Sequence, residues 1–423
     1  MFKKSTLSNG LRVITAPMSG TNTVTVLILC ATGSDYESRE LSGISHFLEH
    51  MFFKGTQRRP EARLVSQELD GMGALYNAFT THEYTGYFVK AGKTYLEKAL
   101  DILTDIYKNS LLKAEEIERE KQVIVEELHR DLDTPTQYIW WIWERLLYGD
   151  QPAGWDIIGN EKTIRALQQD DFVNYFMHQY SAPNTIVIVA GNCDETAVRE
   201  LVRKNFGDAR SDPPIRTKPA VVESQRVPML HAEFKTTDQT HITLGFRGFD
   251  VTDPRHYAAG VLAIILGGGM SSRMFIRIRE ELGLAYNVST AHESYSNRGY
   301  LVTYAGVDHA NAIKTIQEML SEYRKVRERP VSGEELQRVK DYIRGTTLIG
   351  LEQSNAVASF VGEQEVLLGK PLTVDEVFAK IDAVTTDDIH AVAQELMKPE
   401  KLNLAMIGPF TDTAPFQKML FEF

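Results

Sequence analysis

Cysteine is nearly absent: the 423-residue chain has two, Cys30 and Cys193, and no C-x-x-C pair. That leaves no disulfide framework, and the two read as ordinary core residues in apolar, strand-like surroundings of a reducing compartment. Positive charge is in deficit, with 46 Lys and Arg against 57 Asp and Glu and a formal charge of -11. A general nucleic-acid binder needs a concentrated basic surface, so that class is disfavoured. Long apolar runs are missing as well; NTIVIVAGN at 184–192 has the length of a buried strand and not of a bilayer span. The opening MFKKSTLSNG carries two lysines without the apolar stretch or cleavage site of a secretory signal. These absences predict a soluble, cytoplasmic chain with neither membrane nor nucleic acid as a partner. Gly267-Gly268-Gly269 lacks the lysine of a phosphate-binding loop and reads as a helix-to-loop transition.

What is present is enough material for more than one core: the length exceeds that of a usual single domain, and hydrophobic residues make up 43%. Asn9-Gly10 marks a hairpin, residues 21–32 alternate as a sheet strand, and 74–80 and 85–89 form a further strand pair. Residues 95–108 and about 113–131 have helical periodicity, and Trp140, Trp141 and Trp143 fall in the next helix, where packing explains them. The segment around 207–222 is rich in Pro, Asp, Arg and Lys, without periodicity. It divides the chain into residues 1–208, a linker at 209–226 and residues 227–423.

The second half then repeats the first. Residues 241–248 echo 25–32, 304–320 parallel 90–103, 332–346 parallel 113–127, and 399–408 match 183–191, all in the same order. The prediction is an α+β chain of two homologous α/β-sandwich domains facing across a cleft, each with a mixed, largely antiparallel sheet packed against helices.

One stretch, LSGISHFLEHMFFKGT at 41–56, holds the pattern H-x-x-E-H. On a helix, His46 and His50 share one face with Glu49 beside them, so two imidazoles can grip one metal ion while the carboxylate stands next to its water. The matching stretch of the second half is approximately LAIIL at 262–266, and the position of Glu127 falls near Thr346. Apolar residues therefore suffice to pack that helix, and the polar trio needs a cause other than folding. Catalytic zinc takes three protein ligands and a water. A carboxylate from another helix should be the third, with Glu120, Glu126 and Glu127 as choices. Glu120 and Glu127 lie two helical turns apart on one face, so one can ligate while the other supports a histidine.

HFLEH followed by EREKQVIVEE at 118–127 resembles the insulinase/pitrilysin superfamily of inverted-zincin peptidases, in its two-domain processing-peptidase branch, and the resemblance spans essentially the whole chain. It implies a zinc metalloendopeptidase with one Zn²⁺ per chain bound by His46, His50 and Glu127, Glu49 as general base and Glu120 supporting a ligand. It implies that Arg279 and Tyr286, in REELGLAY, hold the substrate backbone and the developing oxyanion from the second domain. It also implies that GALYNAFT at 73–80 is an edge strand pairing with extended peptides, with Ala74, Asn77 and Ala78 in contact. The chain length resembles that of members that form dimers, and the sequence leaves a homodimer, a heterodimer with a homologous subunit and a monomer open. The competing reading is a noncatalytic scaffold or regulatory subunit; retention of both residue sets argues against it.

Overall fold

Strands rich in apolar residues can be buried on both faces, and each half has such strands, TVTVLILC and TIVIVAG in the first and GYLVTYAGV and LNLAMIG in the second. The computed structural model describes residues 2–423, and contacts divide the chain into two units: Met1–His129 with Trp155–Pro219 and Thr347–Thr373, and Arg130–Gly154 with Ala220–Thr346 and Val374–Phe423.

The first unit contains β1 (Lys3–Thr6), β2 (Arg12–Pro17), β3 (Thr23–Cys30), β4 (Leu75–Thr80), β5 (Thr85–Gly92) and β6 (Thr185–Gly191). Their order is β1-β2-β6-β3-β5-β4, antiparallel except for β2 with β6. The hairpin turns at Gly10, whose φ of 92° suits glycine. TVTVLILC and TIVIVAG, the sequences of β3 and β6, sit inside the sheet. Phe52 of the motif helix stacks on Tyr87 and meets Tyr107 edge-on. Elsewhere the helix Ser354–Leu368 closes over Ile14, Leu27, Leu29, Ile186 and Ile188. Its fully buried Glu365 is neutralised by Lys4 at 2.7 Å and Arg12 at 3.1 Å, as a buried carboxylate requires.

The second unit contains β7 (Met229–Phe234), β8 (Thr240–Arg247), β9 (Ala285–Ser294), β10 (Gly299–Val307) and β11 (Leu402–Gly408), ordered β7-β11-β8-β10-β9 with β7 and β11 parallel. Strand for strand this is β2-β6-β3-β5-β4 again, the structural form of the sequence repeat. Each sheet is thus mixed and largely antiparallel and packs against helices, as the sequence predicts. The tryptophan helix, Pro135–Tyr148, lies on this second sheet, with Trp143 buried in the core and edge-on to Tyr300 at 5.9 Å and Trp140 packed against the same cluster. Each unit therefore takes one covering helix from the opposite half of the sequence. Gly267 ends the helix His256–Gly267, and a Cβ there would come within 2.4 Å of the Thr290 nitrogen, so the glycines mark a close approach. The cysteine expectation holds for Cys30, buried in β3; Cys193 lies past β6 in an irregular, half-buried segment and is not core.

Candidate metal centre

The motif helix runs Ile44–Phe52 and buries Ile44, Phe47, Leu48, Met51 and Phe52, leaving the intervening His46, Glu49 and His50 on the half-buried side. Its entry is fixed by Gly43, in the left-handed region at φ 98°, and by Glu37, whose carboxylate accepts the backbone N–H of Gly43 at 2.7 Å and of Ser45 at 2.8 Å. Orphan donors of a first helical turn are thereby satisfied. Burial pushes the Glu37 carboxyl up to about 8 against those hydrogen bonds.

The helix Ala114–Leu132 brings the acids. His46, His50 and Glu127 each offer one ligand atom, all within 4.8 Å of one another. Glu127 Oε2 lies 3.8 Å from His46 Nε2 and 3.5 Å from His50 Nε2. Tetrahedral Zn²⁺ with legs of about 2.0–2.1 Å separates its ligand atoms by about 3.3 Å, so this donor set fits that ion with small side-chain adjustments. His50 Nδ1 is 3.0 Å from Glu120 Oε1. A carboxylate only accepts, so in the neutral ring the proton sits on Nδ1 and Nε2 is available to ligate. Glu120 Oε2 in turn pairs with Lys54 at 2.5 Å. Burial opposes the Glu120 charge, but the hydrogen bonds from His50 and Lys54 hold its carboxyl below the usual range. Burial likewise disfavours a charged His50, yet Glu120 and Glu127 raise it to about 9. The anionic surroundings that would retain a proton there equally favour a divalent cation. Glu126, weighed with the other two acids, instead accepts from Gln122 at 2.7 Å on the exposed side.

Glu49 does not join the ligand cluster; its Oε2 accepts the Thr80 hydroxyl at 2.6 Å. Burial raises its carboxyl and the Thr80 bond opposes that rise. Asn77 and Ala78 lie in β4, which among the described residues pairs only with β5 and so presents a free edge, and Ala74 immediately precedes it. In the second unit, Arg279 sits in a π-helical segment, Phe275–Glu281, with its guanidinium 4.7 Å from the ring of Tyr286 at the start of β9. The sequence reading missed Thr80, Lys54 and Glu37. Only Lys54 had a signal, being four residues beyond His50 on a helical face.

Two imidazoles from one helix and a carboxylate from another, with an acid behind one imidazole, define a zinc-peptidase type of centre. Residues 12–138 match the model of the insulinase family (peptidase family M16), and residues 166–343 match that of the peptidase M16 inactive domain. The chain is 35% identical to an uncharacterised zinc protease of Bacillus subtilis, over 97% of this chain and 98% of that one. It is 32% identical to another of Streptomyces coelicolor, over 97% and 90%. A crystal structure of a protease from Helicobacter pylori superposes with a TM-score of 0.90 at 24% identity, over 97% of this chain and 99% of that one, a likeness of fold. The chain belongs to the insulinase family of peptidases. With the His/His/Glu cluster inside the matched insulinase segment, its function is that of a zinc-dependent metalloendopeptidase. Among the described residues no helix is long and apolar enough to cross a membrane.

Proposed function

We propose that this enzyme cleaves peptides bound in extended form, with Glu49 as the general base and His46, His50 and Glu127 as ligands of one Zn²⁺ per chain. The observation that carries the proposal is the placement of Glu49. It stands on the ligand helix, outside the ligand cluster, and is tied through Thr80 to the end of a free sheet edge. When bound, Zn²⁺ would lower the pKa of its water and polarise the scissile carbonyl. Glu49 takes the water proton as oxygen attacks the carbonyl carbon, then returns it to the departing nitrogen as the C–N bond breaks. Glu120 keeps His50 in the ligating tautomer.

The edge of β4 supplies backbone donors and acceptors to a substrate strand, and Ala74, Asn77 and Ala78 contact it. Such pairing is indifferent to most side chains and demands an unfolded segment. Arg279 and Tyr286 belong to the same proposal as groups that hold the substrate backbone and the oxyanion. Their mutual contact at 4.7 Å and the 79% exposure of Tyr286 leave both able to meet a ligand. The proposal places the enzyme in the cytoplasm, working alone, as a homodimer or with a homologous subunit. Turnover of an unstructured peptide by Glu49→Gln should fall at least about a thousandfold with zinc retained. Undiminished turnover by the metal-loaded variant would remove Glu49 from the role, and absence of zinc uptake by the wild-type chain would favour a noncatalytic subunit.

A further inference from the structure

Among the described residues, Glu49 has one side-chain hydrogen-bond donor, a hydroxyl. Its Oε2 accepts from Thr80 Oγ1 at 2.6 Å, and among the described residues Oε1 has no protein donor. The hydroxyl sits on a stiff support. Thr80 is the last residue of β4, in register with Thr85 of β5, whose own hydroxyl donates to the Thr32 carbonyl at 2.9 Å. The turn that follows is closed by Thr81 and Tyr84, backbone to backbone at 2.9 Å and through the Thr81 hydroxyl at 2.8 Å. A carboxylate turns easily about its last torsion, so a base that must face one water benefits from having its other oxygen held by a rigid donor.

The second unit acts as a control. The residue ending the equivalent strand is Ser294, in register with Gly299 as Thr80 is with Thr85. The helix position of Glu49 is taken by Ile265, and the Ser294 hydroxyl turns to the Phe249 carbonyl at 3.2 Å and to His292. A hydroxyl at this strand end engages the helix only where the helix carries the acid.

We propose that Thr80 is a positioning residue for hydrolysis: its hydroxyl holds Glu49 Oε2 and leaves Oε1 to take the proton from the attacking water. Thr80 keeps its own proton throughout, because the proton released when the water O–H breaks goes to Oε1 and on to the leaving nitrogen. The inference rests on Glu49 being the base. It also joins two tasks on one strand, since the edge offered to the substrate and the donor that aligns the base are both β4.

The test compares wild type, Thr80→Val, Thr80→Ser and Glu49→Gln on an unstructured fluorogenic peptide, with zinc content and thermal midpoint measured alongside. Thr80→Val should lower kcat about 10- to 100-fold, the worth of one hydrogen bond to a charged group, with KM within about twofold and zinc unchanged. Thr80→Ser should restore kcat to within about threefold of wild type. Should the valine variant not fold, Thr80→Ala takes its place with the same expected split. A Thr80→Val enzyme with wild-type kcat beside an inactive Glu49→Gln overturns the role of Thr80 alone. Loss of zinc, a rise in KM matching the fall in kcat, or failure of serine to rescue also overturns it, reducing Thr80 to packing. Normal turnover by Glu49→Gln removes the underlying reading as well.

Discussion

The two units share one sheet order, and their matched helices differ at the residues for which we propose chemistry in the first unit. His46, Glu49 and His50 correspond to Leu262, Ile265 and Leu266, all at most 2% exposed. Glu120 corresponds to the buried Val339, and Glu127 to Thr346, whose hydroxyl bonds back to Tyr342 of its own helix. The second helix gains the burial of aliphatic side chains, each worth about 1.5–3 kcal/mol, and the first gives it up. A fold that accepts leucines at these places has no structural need of histidines there, so the first unit's polar face is explained by the ion it can hold. The entry of the helix differs as well. Glu37 is buried and clamps the first turn, whereas Asp253, at the matched place, is held below the usual carboxylate range by hydrogen bonding to Arg255 at the surface.

The sharpest way to break this comparison is to make the first helix resemble the second. His46→Leu combined with His50→Leu should abolish zinc binding and lower turnover by at least about a thousandfold, while far-UV circular dichroism and cooperative unfolding persist. An unfolded double variant would show that the imidazoles hold the helix in place, contrary to the lesson of Leu262 and Leu266. A smaller effect concerns the clamp. The folded Glu37 carboxyl lies at about 8 against an ordinary 4.5, so the folded state binds the extra proton. Its contribution is fully present below about 4.5 and is lost as pH rises through about 8, with a slope of at most about 1.4 kcal/mol per pH unit from this group. Glu37→Gln should flatten the decline in urea midpoints between pH 5 and 8.5; parallel curves for variant and wild type would mean that Glu37 is charged when folded.

Much of this was legible in the chain because its signals are local or periodic. Alternation located β3, Asn9-Gly10 located the first turn, and the ordered echoes announced two copies of one sheet. H-x-x-E-H placed two imidazoles on one helical face, because spacing alone dictates that. The third candidate ligand was less legible: Glu120, Glu126 and Glu127 share a helix and a charge, and only their neighbours separate them, with Glu120 turned to His50, Glu126 to Gln122 and Glu127 to both imidazoles. Thr80 was out of reach, since its partner lies 31 residues away and a threonine at a strand end is unremarkable. The exchange of Ser354–Leu368 and Pro135–Tyr148 between sheets left no trace either; an apolar helix face records that it is covered without recording by which strands.

The finest distinction between the units is the shell behind His50, where the second copy places Val339 and the 74%-exposed Met270 in the positions of Glu120 and Lys54. Glu120→Gln keeps an oxygen for Nδ1 but removes the charge that makes the imidazole a stronger ligand, and should weaken zinc binding about 10- to 100-fold in competition with a chromophoric chelator. Lys54→Met installs the second copy's residue one step further out. Its ammonium is 2.5 Å from Glu120 Oε2 but 27% exposed, so water replaces much of what is lost and the expected weakening is about two- to fivefold. A lysine variant as damaging as the glutamine one would make the whole His50–Glu120–Lys54 chain the unit that tunes the metal, and affinities unchanged in both would mean that this polar shell serves the packing of the helix pair.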